Sequence, residues 1–332
     1  MRVMYIHGFR REQWNIGDDV YFQGTQSLLT EAIGEHEIVE ADMEMCCQNI
    51  DNVEKLLNFE VDLIVTVGAP WLYSNFESSW QATLLRKILP HYSFTKKIAF
   101  GLGGCSGLNK NYFRNMAALN AVAETFGQFD LVFAREPMTA QFLELSGVKA
   151  QTLLDSAVFF PMQKYVKKLD LKITNERPVF CYFDFEAGIS SGDFTEVEGL
   201  RIRQMYQYIV AKYDPIVYCV NEPEVRKAEA LGIKDCQWIW HYEDILPLLA
   251  KASFFISARV HQATLAKLLN KKVYVIPFDI RYLCTSALGV IPVFIQPEPE
   301  LDASPERDFG DALIARTRRQ IVEKVRGIIH GI

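Results

Sequence analysis

Short apolar runs alternate with longer amphipathic stretches along most of the chain. In the first half the runs are Val3 to Ile6, Glu37 to Val39, Leu63 to Val67, Ile98 to Gly101 and Leu131 to Ala134, and Gln151 to Leu154 closes the series. Between them Val20 to Ile33, Trp80 to Leu89, Tyr112 to Phe126 and Met138 to Leu145 carry apolar residues at helical spacing. Strands alternating with helices predict parallel βαβ units with helices on both faces of a sheet. Met162 to Pro178 breaks the pattern, being rich in lysine and polar residues and ending in Pro, and reads as an interdomain connection. A second alternation follows. Its strands are Val179 to Phe183, Ile216 to Val220, Gln237 to Ile239, Phe254 to Ile256 and Val273 to Ile276, and its helices are Ile202 to Lys212, Glu224 to Ala230, Tyr242 to Ala250 and Gln262 to Leu269. The pattern predicts an α/β fold of two Rossmann-like domains facing a cleft, over residues 1–161 and 178–309, followed by a C-terminal helix over 310–332.

That helix carries an apolar stripe of Leu313, Ile314, Ile321, Val322, Val325, Ile328 and Ile329, with Arg316, Arg318, Arg319, Lys324 and Arg326 outside it. The stripe predicts packing on one or both domains. A basic face in peripheral contact with a membrane of anionic lipid is the alternative.

A length of 332 residues exceeds what one core usually holds and supports two domains of about 150 residues. The composition, 49% hydrophobic and 23% charged, predicts a soluble globular protein. A formal charge of -6 argues against a nucleic-acid partner, which calls for a basic stripe, so any anionic ligand has to be met by local arginines. The seven cysteines, at 46, 47, 105, 181, 219, 236 and 284, show no paired metal-ligand spacing, and most lie in apolar runs. They read as reduced core residues, including the Cys46-Cys47 doublet, and no metal is expected. The first strand begins within residues of Met1 and no apolar run is long enough for a transmembrane segment, so a cytoplasmic protein is expected.

The candidate chemistry gathers where strands end. Ser257-Ala258-Arg259-Val260-His261-Gln262 lies where the Phe254 to Ile256 strand breaks into a helix, the edge at which open α/β sheets bind ligands. Arg259 there can clamp a carboxylate or phosphate, and His261 can move a proton near neutral pH, which makes it the expected catalytic residue. Ser257 and Gln262 flank the pair and are expected to bind substrate with it. Arg135 ends the equivalent strand of the first half, where it either faces Arg259 across the cleft or forms a surface ion pair with Glu136 or another carboxylate. Asn15-Ile16-Gly17-Asp18 precedes a helix whose amino-terminal amides favour anions, with Asp18 as its cap. Gly68, and Gly101 to Gly104, add small residues along the same sheet edge. Neither glycine cluster has a P-loop or dinucleotide pattern, so ATP and NAD are not expected and no cofactor is called for. Asp155 could bond an acceptor hydroxyl or cap a turn. Asp184 and Glu186 could form an acid pair, while His7 and His241 read as structural.

Taken in order, these motifs resemble the polysaccharide pyruvyl transferase family over roughly residues 13 to 290. Asn15-Ile16-Gly17-Asp18 resembles its Asn-x-Gly-Asp element, Ala134 to Thr139 its Arg-Asp-x-x-Ser segment, Asp155-Ser156-Ala157 its Asp-Pro-Ala stretch, and Ser257 to His261 its Ser-x-Arg-x-His signature. Pro277-Phe278-Asp279-Ile280-Arg281 falls where the family often has Pro, Tyr and Lys. Here Phe278 loses a hydroxyl and Arg281 exchanges a point charge for a planar fork. The resemblance implies a GT-B-like pair of domains and transfer of pyruvate from phosphoenolpyruvate, the donor substrate, to two hydroxyls of one sugar or lipid-linked glycan. It also implies that Asn15, Gly17, Asp18, Gly68, Arg135, Asp155, Arg259 and Arg281 bind substrate. A GT-B-like glycosyltransferase using a nucleotide sugar, with Glu222 as a candidate ribose carboxylate, is the main alternative. A catalytically silent carbohydrate-binding module is the other.

Overall fold

The computed structural model describes residues 1–8, 16–42, 46, 50–68, 70–72, 75–104, 115–186, 195–301 and 310–331. Asn15, Cys47, Ala69, Cys105 and residues 188–192 lie outside them.

The first half runs β1 (Arg2–His7), α1 (Ile16–Ile33), β2 (Glu37–Asp42), α2 (Ile50–Leu57), β3 (Leu63–Thr66), β4 (Pro70–Leu72), α3 (Trp80–Ile88), β5 (Lys96–Gly104), α4 (Met116–Phe126), β6 (Leu131–Ala134), α5 (Pro137–Leu145) and β7 (Gln151–Thr152). A 3₁₀ turn (Ser156–Phe159) and α6 (Met162–Lys168) lead into β8 (Val179–Cys181), α7 (Glu196–Tyr213), β9 (Ile216–Cys219), α8 (Glu222–Ala230), β10 (Gln237–Trp238), α9 (Tyr242–Lys251), β11 (Phe254–Ser257), α10 (Val260–Leu268), β12 (Lys272–Val275), α11 (Leu283–Ser286), β13 (Ile291–Pro292) and α12 (Asp311–His330). The alternation read from sequence holds. Short elements with too few residues to show a period, such as β4 and β13, escape it. The lysine-rich stretch from 162 opens as α6, because Met162 and Tyr165 both turn inward.

Two parallel sheets result, ordered β2-β1-β3-β5-β6-β7, with β4 beside β5, and β10-β9-β8-β11-β12-β13. In each the strand order reverses once, between β1 and β3 and between β8 and β11, and such switch points are where parallel sheets bind ligands. Register brings polar strand ends to those points: His7 ends β1 beside Asp42, and Ser257 ends β11 beside Cys181 and Val275.

β3 is buried along its whole length, and β5 everywhere beyond Lys96, as expected for parallel strands covered on both faces. One apolar core runs from β1 and α1 through Tyr242, Ile245 and Leu249 of α9 and Ala263 and Leu265 of α10 to Ile321 and Val325 of α12. The two halves therefore share a core. The Tyr165 and Tyr242 hydroxyls join them at 2.8 Å. A second cluster, with Phe180, Tyr206, Ile256 and Tyr274, fills the outer face of the second sheet.

The final helix returns to the first half and packs on α1. Arg326 donates to the carbonyls of Glu31 and Ala32 at 2.8 and 3.1 Å, filling acceptors that the end of α1 leaves open. Arg318 pairs with Glu31 and reaches the Ser27 hydroxyl. Two of the arginines expected on an outer basic face thus tie the helix down. Among the described residues no helix is long and apolar enough to cross a membrane.

Helix α1 lies directly on the Ser156–Phe159 turn because residue 24 is glycine: a Cβ there would collide with the Ser156 carbonyl oxygen. Gly24→Ala should push α1 off this turn and destabilise the fold by roughly 1–3 kcal/mol, read as a lower Tm. An unchanged Tm would show that the contact has room to spare.

Candidate active site

The centre of the site is a buried charge cluster at the carboxyl ends of β5 and β6. Arg135 lies flat over Gly103, where any Cβ would collide with its guanidinium. Its Nε donates to Glu136 at 3.1 Å and its Nη1 to Asp155 at 3.3 Å, while Nη2 is buried without a partner. The side chain has no solvent exposure. Burial works against its charge, but Glu136, joined by Asp155, holds its pKa above the ordinary value. The pairing with Glu136 expected from sequence forms, though deep inside rather than on the surface. Glu136 also accepts from the Gly104 amide at 2.7 Å and from the Thr139 hydroxyl. Burial still raises the Glu136 pKa against these partners.

Asp155 follows β7. One of its oxygens caps the 3₁₀ turn by accepting from the Ala157 amide at 2.8 Å. The other faces both Arg135 and, at 3.5 Å, Nε2 of His261. Burial alone would push this carboxyl up, yet His261, Arg135 and the Ala157 amide overcome it and hold the pKa at about 2. At 3.5 Å the His261 contact is too long for a good hydrogen bond. His261 sits in the first turn of α10, which packs on α1 and on the Ser156 turn. A residue of the second sheet thereby reaches a carboxylate of the first.

From α1, Tyr21 sets its ring edge-on to His261, with centroids 5.2 Å apart. Asp18 and Gly17 occupy the first turn of the same helix and are buried. Burial and then Asp18 raise the Tyr21 pKa. Tyr21 went unnoticed in the sequence, although its spacing of three from Asp18 puts both on one helix face. Gly68 closes the floor, packed against the Gly101 carbonyl and Ser156.

Arg259 belongs to a neighbouring arrangement. Its Nη2 donates to Glu224 at 2.6 Å, its guanidinium lies 5.1 Å from the centroid of Phe183, and its Nε is buried without a partner. The two arginines are used differently: Arg135 is enclosed by carboxylates, whereas Arg259 keeps 15% of its side chain exposed. Glu224 further accepts from the Asp184 amide at 3.0 Å. It occupies the third residue of α8, behind the Asn221 cap and a Pro, a pattern that reads simply as a helix start and so hid its second role. Glu222 instead pairs with Arg226 on the surface.

Ser257 is buried and accepts from the Arg259 amide at 2.7 Å, so it shapes the turn. Gln262 is buried with its Nε2 unpaired. Arg281 folds back on Asp279, with Nε 2.7 and 2.9 Å from the two carboxylate oxygens. Its turn packs against β5, close enough for its charge to act on Arg135. Asp184 pairs with Lys227 at 2.5 Å and Glu186 with Arg203 at 2.8 Å, with Lys227 also 3.6 Å from Glu186, so the acid pair is tied up in an ion network. His7 is buried against Glu40 and Phe22, and His241 precedes α9 in an exposed position. None of the described cysteines forms a disulfide, and all but Cys236 are buried. Among the described residues no group of His, Cys, Asp and Glu is arranged to hold a metal.

The cluster can hold a negative charge beside an imidazole, and the unpaired donors of Arg135, Arg259 and Gln262 are suited to anionic groups. Three solved structures are similar over almost the whole chain. The UDP-GlcNAc 2-epimerase of Methanocaldococcus jannaschii is 13% identical, with a TM-score of 0.60 over 98% of this chain and 99% of its own. The S. aureus MnaA protein, solved with UDP, is 13% identical, with a TM-score of 0.60 over 100% and 97%. A putative UDP-N-acetylglucosamine 2-epimerase of Listeria monocytogenes is 12% identical, with a TM-score of 0.57 over 98% and 96%. At such identity they establish the GT-B-like fold of two Rossmann-type sheets and nothing about chemistry. No curated protein matches the sequence. The family model described as polysaccharide pyruvyl transferase matches residues 15–279, a span that holds Asp18, Arg135, Asp155, Arg259 and His261, and the chain belongs to that family.

Proposed function

We propose that this protein transfers pyruvate from phosphoenolpyruvate to two hydroxyls of one sugar, in a cell-surface polysaccharide or its precursor, to give a cyclic ketal and inorganic phosphate. The observation that carries this reading is the contact between the Asp155 carboxylate and the His261 imidazole, 3.5 Å apart, in a chain of this family. It sets an acid-base residue beside a fixed negative charge where the two sheets meet. Residues 1–161 and 178–309 are taken as the two domains that enclose donor and acceptor.

The chemistry asks for two things. The donor's methylene must gain a proton to become the methyl group, which makes the central carbon electrophilic. Each sugar hydroxyl must lose a proton as its oxygen bonds to that carbon, and the second bond displaces phosphate. His261 is the candidate for proton transfer at an acceptor hydroxyl or at the departing phosphate. Asp155 and Tyr21 fix its ring, and Arg135 keeps Asp155 ionised. Arg259 would meet a carboxylate or phosphate of the donor through its unpaired Nε, while Glu224 and Phe183 hold the rest of the guanidinium. Enclosure between the sheets excludes water that would hydrolyse the activated donor.

The decisive assay is phosphate release from phosphoenolpyruvate with a candidate glycan, run beside turnover of sugar nucleotides. Glycan-dependent phosphate release is expected. Sugar-nucleotide turnover without use of phosphoenolpyruvate would refute the proposal in favour of a glycosyltransferase, and binding of glycan with no turnover of either donor would point to a silent binding module.

The two residues of the signature should separate kinetically. His261→Ala should lower kcat by roughly 10²–10⁴-fold with little change in donor KM, whereas Arg259→Lys should mainly raise donor KM. Wild-type kinetics in His261→Ala would remove it from the mechanism.

Asp155 also makes stability depend on pH. Its folded pKa of about 2 lies below the ordinary aspartate value of 3.8, so its contribution is present above 3.8 and is lost as pH falls from 4 towards 2. Acid unfolding of Asp155→Asn should have a shallower pH dependence than wild type in that window. Identical slopes would mean that the carboxylate is not held ionised by the fold.

A further inference from the structure

The sulfurs of Cys219 and Cys236 lie 2.8 Å apart, so less than an ångström of movement separates them from the ~2.05 Å of a disulfide. Strand pairing brings them there. β9 and β10 run parallel with Cys219 opposite Trp238, and Cys236, two residues before Trp238, points to the same face by strand alternation. The preceding turn delivers it: Ile233 is buried, and Asp235 takes a left-handed φ of 57°. Access is unequal. Cys219 is fully buried, whereas Cys236 is partly exposed. Hydrogen bonding to Cys236, with burial, raises the pKa of the Cys219 thiol, which suits Cys236 to react first and Cys219 to follow.

We infer that Cys219 and Cys236 form a reversible redox site that takes a low-molecular-weight disulfide as its oxidant. The Cys236 thiolate attacks one sulfur of the oxidant, expels a small thiol and leaves a mixed disulfide. Cys219 then loses its proton, attacks the Cys236 sulfur and expels the second small thiol. The two cysteines give up two electrons, and their two protons end on the two released thiols. β10 is an edge strand of two residues, and the new bond pins it to β9. Cys219 also lies two residues before Asn221, the cap of the helix that carries Glu224, so the pin sits next to the segment that holds Arg259.

The test is to incubate folded wild-type protein with oxidised glutathione and map its peptides by mass spectrometry. A Cys219–Cys236 crosslink, lighter by two hydrogens and reversed by dithiothreitol, is expected, with a higher Tm for the oxidised form because a loop of the unfolded chain is closed. Cys219→Ser should accumulate glutathione on Cys236, and Cys236→Ser should leave Cys219 unmodified. Wild-type protein that carries glutathione on Cys236 without forming the crosslink, or that does not react, would overturn the inference. The result is independent of which donor the enzyme uses.

Discussion

The site depends on one carboxylate. Asp155 is buried, yet stays ionised because two distant partners, the His261 imidazole and the Arg135 guanidinium, join the local Ala157 amide on it. Charges taken out of water are tolerated only when they are paired with good geometry, and removal of one partner from a buried pair typically costs about 3–5 kcal/mol. The cluster is therefore a constraint on the fold as well as a chemical device. His261 arrives with the second sheet and Asp155 with the first, so the pair exists only while the sheets are docked. The shared apolar core from α1 through α9 and α10 to α12 keeps them docked.

The same dependence explains several residues with no polar atom to offer. Gly103 leaves the space in which the Arg135 guanidinium lies, and Gly24 lets α1 rest on the turn that Asp155 caps. Tyr21 then meets His261 from that helix. Arg259 obeys a separate local rule, set by Glu224 and Phe183 on the second sheet alone. One arginine is thus enclosed by carboxylates, and the other keeps an Nε without a partner.

Much of this was legible in the sequence because it follows from period and position. The β-α alternation gave both sheets, and the breaks at Arg135, Asp155 and Arg259 marked the strand ends where side chains from distant segments meet. Partners were the part that could not be read. A carboxylate that accepts from Arg259 looks the same in sequence as one that starts a helix, so nothing local marks Glu224, and Glu222, the candidate ribose carboxylate, lies on the surface. Asp184 and Glu186 looked like an acid pair because Arg203 and Lys227, farther along the chain, carry no local sign of pairing with them. The outward arginines of the last helix looked free because the end of α1 that they cap is nearly 300 residues away. Long-range pairing is fixed by packing, which no local pattern records.

The central claim is that the Asp155–His261 pair marks where the donor reacts. A crystal structure with phosphoenolpyruvate bound tests it most directly. The account predicts a donor anionic group on Nε of Arg259 and the reacting carbon beside His261, with Asp155 still against the imidazole. A donor bound away from both residues, or His261 turned off Asp155 in the complex, would contradict it.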